Sequence, residues 1–335
     1  MSILLGLFIT LFGGAPQAAA GAEADTSAVE VDEWTVPYES SRPRDPYVGP
    51  DGRVWFVGQR SDYVASFDPG SGEFERYDLE PGTAPHTCIV GDDGTVWIAG
   101  NGSAYIGKLD PATGVIEKIE MPDPRATDPH TMAFTSEGDI WFTLQVSNRI
   151  GFLDTESEEV QIVPVETGGA RPYGLKVDEN DRPWIVLFGT NKLATVDPAS
   201  MQIEEISLPR EGAHPRRIDL TSDGGVWYVD YEEGYLGRYD PATGTFEEWA
   251  MPGGRDAQPY AMAADNQDRI WFVETGPSPN RFVGFDPATE TFLPASDIPS
   301  GGGAVRHMYF HEPTGSVWFG ADTNTIGRAQ VIPGI

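Results

Sequence analysis

The sequence predicts an all-β chain folded as a seven-bladed β-propeller with four antiparallel strands per blade, and three observations carry that prediction. Tryptophan recurs at positions 55, 97, 141, 184, 227, 271 and 318, a period of about 44 residues. Each of the seven lies in a short apolar run, from Val54-Trp55-Phe56 to Val317-Trp318-Phe319, with the length and composition of a buried strand. Turn residues cut each period into four strand-length pieces, and that pattern repeated around a ring is a propeller.

The first strand of each repeat opens twelve residues before the tryptophan, at Pro43, Pro85, Pro129, Pro172, Pro215 and Pro259, with Arg306 in the seventh repeat. Asp51-Gly52, Asp93-Gly94, Asp223-Gly224 and Thr314-Gly315 then supply the positive φ of a tight turn, expected here to hold two residues, so the first two strands form a hairpin. The third strand carries an N-x-I-G pattern, as in Asn148-Arg149-Ile150-Gly151 and Asn324-Thr325-Ile326-Gly327. Asp-Pro turns begin at 68, 110, 197, 240 and 286, and a more polar fourth strand follows, as at Ile116 to Glu120. The last repeat runs out after its third strand near Arg328, whereas Val31 to Pro37 reads as a fourth strand with nothing before it. The N-terminal strand is therefore expected to complete blade seven and close the ring, which removes exposed edges. All nine tryptophans are assigned to packing, seven in second strands and Trp34 and Trp249 in fourth strands.

Composition bounds the partners. The chain has 335 residues, 22 Lys plus Arg against 52 Asp plus Glu, a net charge of −30 and a pI near 4.3. Such a field disfavours nucleic acid and anionic membrane. At 39% apolar and 11% aromatic there is ample material for a core. The first 20 residues carry no charge, are apolar from Ile3 to Phe12 and finish in Ala18-Ala19-Ala20. They read as a signal peptide cut near Ala20, followed by a linker over 21–29 and the propeller domain over 30–335, so a periplasmic or secreted protein is expected. A lone cysteine, Cys88, in an apolar strand is a small core residue. The chain has no G-x-x-x-x-G-K-[ST], H-E-x-x-H or G-x-S-x-G motif.

First strands line the central channel of a propeller, so the residue after each proline position forms one ring: Arg44, His86, His130, Tyr173, Arg216, Tyr260 and His307. Three of the five histidines fall at this one repeat position, and the other members are Arg or Tyr. With a two-residue hairpin turn, each ring member faces the residue four beyond the tryptophan, which sets His307 against Asp322, His86 against Asn101, His130 against Gln145, Arg216 against Tyr231 and Tyr260 against Thr275. Asp230 and Glu274 lie one place off that row, and Asp128 and His214 precede their prolines. A mouth of His, Tyr, Arg and a few carboxylates suits orienting a polar ligand, holding a hard cation and abstracting a proton with neutral His.

The repeated P-[HY]-x-[ILM] strand, the D-G-x-[VI]-W-F hairpin, the N-x-I-G strand and the terminal M-P or L-P resemble the virginiamycin B lyase (streptogramin lyase) family over residues 30 to 330. The resemblance implies a propeller that opens a cyclic depsipeptide antibiotic at its ester by Mg²⁺-assisted elimination, and hence an antibiotic-resistance activity. By position it implies His307 as the acid or base and Asp322 as a metal carboxylate, with Glu274 a second candidate ligand. It places Tyr260 where a substrate-binding histidine stands in the family, and the family's other metal-binding Glu falls on Val305, which cannot bind Mg²⁺. His86, His130, Arg44, Arg216 and Tyr173 complete the expected substrate site. The expected ligand is a small molecule or cyclic peptide in the channel, and a monomer is expected. Two other readings stay open from the residues: a non-catalytic binding propeller and a metal-dependent hydrolase of the lactonase type.

Overall fold

The computed structural model describes residues 27–332 and builds seven sheets in a ring. The signal peptide and most of the linker expected from the sequence lie outside the described residues. Blade one consists of Pro43–Val48, Val54–Gly58, Tyr63–Phe67 and Phe74–Asp78, each paired antiparallel with the next. Blades two to six repeat the order, opening at Cys88–Val90, Pro129–Phe134, Pro172–Val177, Pro215–Leu220 and Pro259–Ala264. Blade seven holds Val305–His311, Ser316–Ala321 and Thr325–Val331, and Val29–Thr35 pairs with the last of these from Val29↔Val331 to Thr35↔Thr325. The N-terminal strand thus closes the ring as expected. No helix among the described residues is long and apolar enough to cross a membrane.

The repeat motifs have direct physical uses. Second-strand tryptophans fill the space between blades, with Trp141, Trp227 and Trp271 fully buried. They stack on fourth-strand aromatics, Trp227 on Trp249 with ring centroids 5.4 Å apart and Trp318 on Trp34 at 5.7 Å. The glycine of N-x-I-G is dictated by the neighbouring strand: a Cβ on Gly151 would lie 2.1 Å from the Phe142 ring, and one on Gly327 would lie 2.2 Å from Phe319. The asparagine of the same motif ties blades together. Asn324 accepts from the Ser41 backbone N–H and hydroxyl and donates to the carbonyls of Val36 and Tyr38, bridging the closing strand to blade one.

Three local expectations are corrected. The hairpin loop holds three residues in blades one to six and four in blade seven, not two: in blade three Thr135 N–H bonds the Asp139 carbonyl and Gly138 N–H the Thr135 carbonyl, with Gly138 at φ +89°, and in blade seven His311 pairs with Ser316. Further along, the first strand carries a β-bulge, between Pro129 and Met132 in blade three and at the matching place in blades one, four, five, six and seven. Together these shift the register, so Pro129 pairs with Leu144, Pro259 with Glu274 and Val305 with Ala321, in place of the expected pairs His130 with Gln145, Tyr260 with Thr275 and His307 with Asp322. The fourth strand of blade six is split into Thr291–Phe292 and Ser296–Asp297, because Pro294 between them has no N–H for the ladder.

Candidate functional site

The bulge decides what lines the channel. In blade two, His86 N–H bonds the Ala99 carbonyl at 2.9 Å while Ala99 N–H bonds the Thr87 carbonyl at 2.9 Å, so two consecutive residues leading into Cys88–Val90 oppose one partner. The alternation of faces is broken there, and in blades one, two, three and five the residue after the ring member also faces the channel cluster. Asp45, Thr87, Thr131 and Arg217 are placed this way beside Arg44, His86, His130 and Arg216. Strict alternation of strand faces does not assign these four to the channel.

The seven ring residues come together as expected. The imidazoles of His86 and His130 meet at a tilt with centroids 3.3 Å apart, and His130 lies 4.3 Å from the Tyr173 ring. The Tyr173 and Tyr260 hydroxyls share a short hydrogen bond. The Arg216 guanidinium covers Tyr260 at 3.6 Å and Tyr231 at 4.1 Å from the ring centroids. His307 is half-buried, and its Nδ1 has no hydrogen-bond partner.

Asp45 is the hub. It is 1% exposed and sits at φ +47°, a left-handed conformation that Asp tolerates better than most residues. Its Oδ2 accepts from the Thr87 hydroxyl at 2.7 Å and lies 3.7 Å from both His86 Nδ1 and an Arg217 nitrogen, while Oδ1 lies 3.4 Å from Arg44 Nε. Burial by itself would raise its pKa, but His307, Arg44, Arg217 and the Thr87 hydroxyl outweigh that and hold the carboxyl well below the usual range. Because the Thr87 hydroxyl hydrogen goes to Asp45, its oxygen accepts from His86 Nδ1 at 3.1 Å. That chain assigns His86 the Nδ1–H tautomer and leaves Nε2 as a proton acceptor.

The histidines are kept neutral. Burial pushes His307 down to about 3; Asp45 opposes the shift, while Arg217, Lys176 and Arg44 add to it. Burial first, then neighbouring arginines, also depress His86 and His130. Burial would raise the Tyr260 phenol, but Arg216, Arg44, Arg217 and the bond from Tyr173 bring it below its ordinary value. Tyr173 moves the other way, raised by burial and by Tyr260. The channel therefore joins neutral proton acceptors to an acidic phenol and a set of fixed cations.

The expected metal carboxylates are engaged elsewhere. Glu274, fully buried, accepts from Gly253 N–H at 2.7 Å and from Arg281. Asp322 accepts from Arg306 at 2.6 Å, with Arg42 at 3.5 Å. Among the described residues no three His, Cys, Asp or Glu gather at metal-ligand spacing. The donor set as folded does not fit Mg²⁺: a hard cation needs several free oxygens, and each of these carboxylates is already neutralised by guanidinium. Asp230 and Asp128 are also structural, the first bonded to Arg210 and the His214 backbone, the second to Ser147.

The model of the Virginiamycin B lyase family matches residues 29–329, which is the whole propeller. The chain belongs to this family. A solved virginiamycin B lyase from Staphylococcus aureus superposes with a TM-score of 0.82 at 21% identity, covering 91% of this chain and 100% of that one. A streptogramin B lyase structure superposes with a TM-score of 0.81 at 25% identity, covering 91% and 98%. A catalytically inactive His-to-Ala variant of the S. aureus virginiamycin B lyase, solved with quinupristin, gives 0.82 at 21% identity. A search of curated proteins finds no match. Within the lyase family, this propeller joins ring positions of His and Tyr to Arg44, Arg216 and Arg217.

Proposed function

We propose that this member of the virginiamycin B lyase family is an exported carbon–oxygen lyase that opens an ester of a cyclic depsipeptide, or a related ester, by elimination in the channel. The observation that carries the reading is His307: a neutral imidazole from the last blade, with an unpartnered Nδ1, in a channel of oriented cations. His307 takes the proton on the carbon next to the carbonyl. The electron pair of that C–H bond forms a C=C bond, the bond from the β-carbon to the ester oxygen breaks, and that oxygen leaves as a carboxylate. Arg216 and Arg44 orient the ester, and Tyr260, Tyr173, His86 and His130 wall the site against water. Support for a depsipeptide comes from the quinupristin held by the lyase of matching fold. Export is supported by the apolar leader from Ile3 to Phe12 and its small-residue end at Ala20.

Mass spectrometry of a streptogramin B-type depsipeptide incubated with the mature protein tests this. A ring-opened product of unchanged mass is expected, formed at least a hundredfold more slowly by His307→Gln. A product heavier by one water assigns a hydrolase instead. Binding without product assigns a ligand-capturing propeller.

A further inference from the structure

We infer that Arg44, Arg216 and Arg217 form a carboxylate subsite in the channel, which receives the acid group released when the ester opens. Arg44 and Arg217 are 5% and 2% exposed, yet Arg44 Nη2 makes no hydrogen bond, Arg217 Nη2 makes none either and has only the Asp45 carboxylate at 3.7 Å, and the buried Nε of Arg216 is also without a hydrogen bond. A buried charged donor without a partner is unfavourable, and protein groups occupy the other directions: Arg44 donates to Gln59, and Arg217 donates to Thr131 and to the Arg306 carbonyl. The free donors point to an occupant that brings its own acceptors.

Charge selects that occupant. The guanidiniums of Arg216, Arg306 and Arg217 lie 3.6, 5.6 and 5.9 Å from the Tyr260 ring centroid. With Arg44 they make four fixed cations, and the carboxylates set against them are Asp45 and Asp322. In a chain of net charge −30 this concentration of positive charge is local to the channel. Guanidinium forks match the planar carboxylate, and the tyrosine faces beside them accept an apolar substituent. The inference rests on the lyase reading for the source of the carboxylate: elimination creates one negative charge, on the departing oxygens, and fixed guanidiniums stabilise it as it develops.

The test is calorimetric titration of the mature protein at constant ionic strength with N-acetylphenylalanine, with its neutral carboxamide and with inorganic phosphate. The acid is expected to bind at least about tenfold tighter than the amide. That preference should vanish in Arg217→Gln and fall in Arg216→Gln, whose half-buried side chain is less needed for folding; circular dichroism checks that each variant is folded. Equal binding of acid and amide, a preference unchanged in both variants, or binding of phosphate alone overturns the inference. Depsipeptide turnover is read separately. Turnover without acid preference removes the subsite and keeps the lyase, whereas acid preference without turnover keeps the subsite and removes the lyase.

Discussion

The imidazoles of His86 and His130 lie 3.3 Å apart between ring centroids, closer than two charged rings could be held in a dry site. Each Nδ1 meets a threonine hydroxyl from the next position in the sequence, Thr87 at 3.1 Å and Thr131 at 3.0 Å. The pair is a neutral wall, and its protonation is linked to folding.

That linkage has a definite sign. Both histidines, and His307 with them, have folded pKa values below the ordinary histidine value of about 6.5, so the unfolded chain binds more protons and stability falls as pH drops below about 6.5. The slope approaches about 1.4 kcal/mol per pH unit for each histidine. Urea denaturation between pH 7.5 and 5 should show this loss, and His86→Gln with His130→Gln should flatten it. Asp45, held well below the usual carboxylate range, keeps its contribution through this window and loses it only at lower pH. An unchanged slope in the double variant would mean that the pair is charged or solvated in the folded protein.

Asp45→Asn probes the hub without changing the backbone, because Asn also tolerates the left-handed φ of +47°. The substitution leaves Arg44 and Arg217 buried with less counter-charge. A loss of about 3 kcal/mol is expected in denaturant titration. Recovery of much of that loss in added acetate would fit a channel short of negative charge.

Much of this organisation was legible in the chain itself. Trp and Pro at fixed separation mark the blades because each fills the same space in each repeat, and the ring of Arg44, His86, His130, Tyr173, Arg216, Tyr260 and His307 follows from counting. Asp45 and Arg217 were hidden by the assumption that a strand alternates faces strictly. The bulge breaks that rule, and its trace in the sequence is a pair of successive polar residues, Arg44-Asp45, His86-Thr87, His130-Thr131 and Arg216-Arg217, where one should face a blade interior. The register was hidden by the hairpin loop, since Asp-Gly serves two-residue and three-residue loops alike. The partners of Glu274 and Asp322 are set by side chains from other strands or blades, which spacing alone does not specify.

Ring closure depends on one side chain more than its size suggests. Asn324 makes four hydrogen bonds, at 2.9 to 3.0 Å, to Ser41, Val36 and Tyr38. Its φ is +67°, so Asn324→Gly removes the bonds without backbone strain, and a loss of about 3 kcal/mol is expected. Asn324→Ala should lose about 1 kcal/mol more, from the left-handed backbone. Hydrogen exchange should then rise first in Val29–Thr35 and its partner Thr325–Val331. Uniform protection loss across all blades would show that closure and the ring unfold as one unit.

Chelation by EDTA separates two ways of stabilising the same negative charge. Elimination needs a positive group near the ester oxygens, and either a divalent cation or guanidinium can provide it. Here Asp322 is held by Arg306 and Glu274 by Arg281, and Val305 offers no oxygen from its side chain, so a cation would have to displace two ion pairs to find ligands. In the proposed subsite it is Arg44, Arg216 and Arg217 that stabilise the charge as it develops. Turnover of a depsipeptide should therefore stay within about twofold in excess EDTA and fall by about two orders of magnitude in Arg217→Gln, as when a single transition-state donor is removed. The opposite result, activity lost in EDTA, restored by Mg²⁺ and abolished by Asp322→Asn, would mean that Asp322 leaves Arg306 when substrate binds.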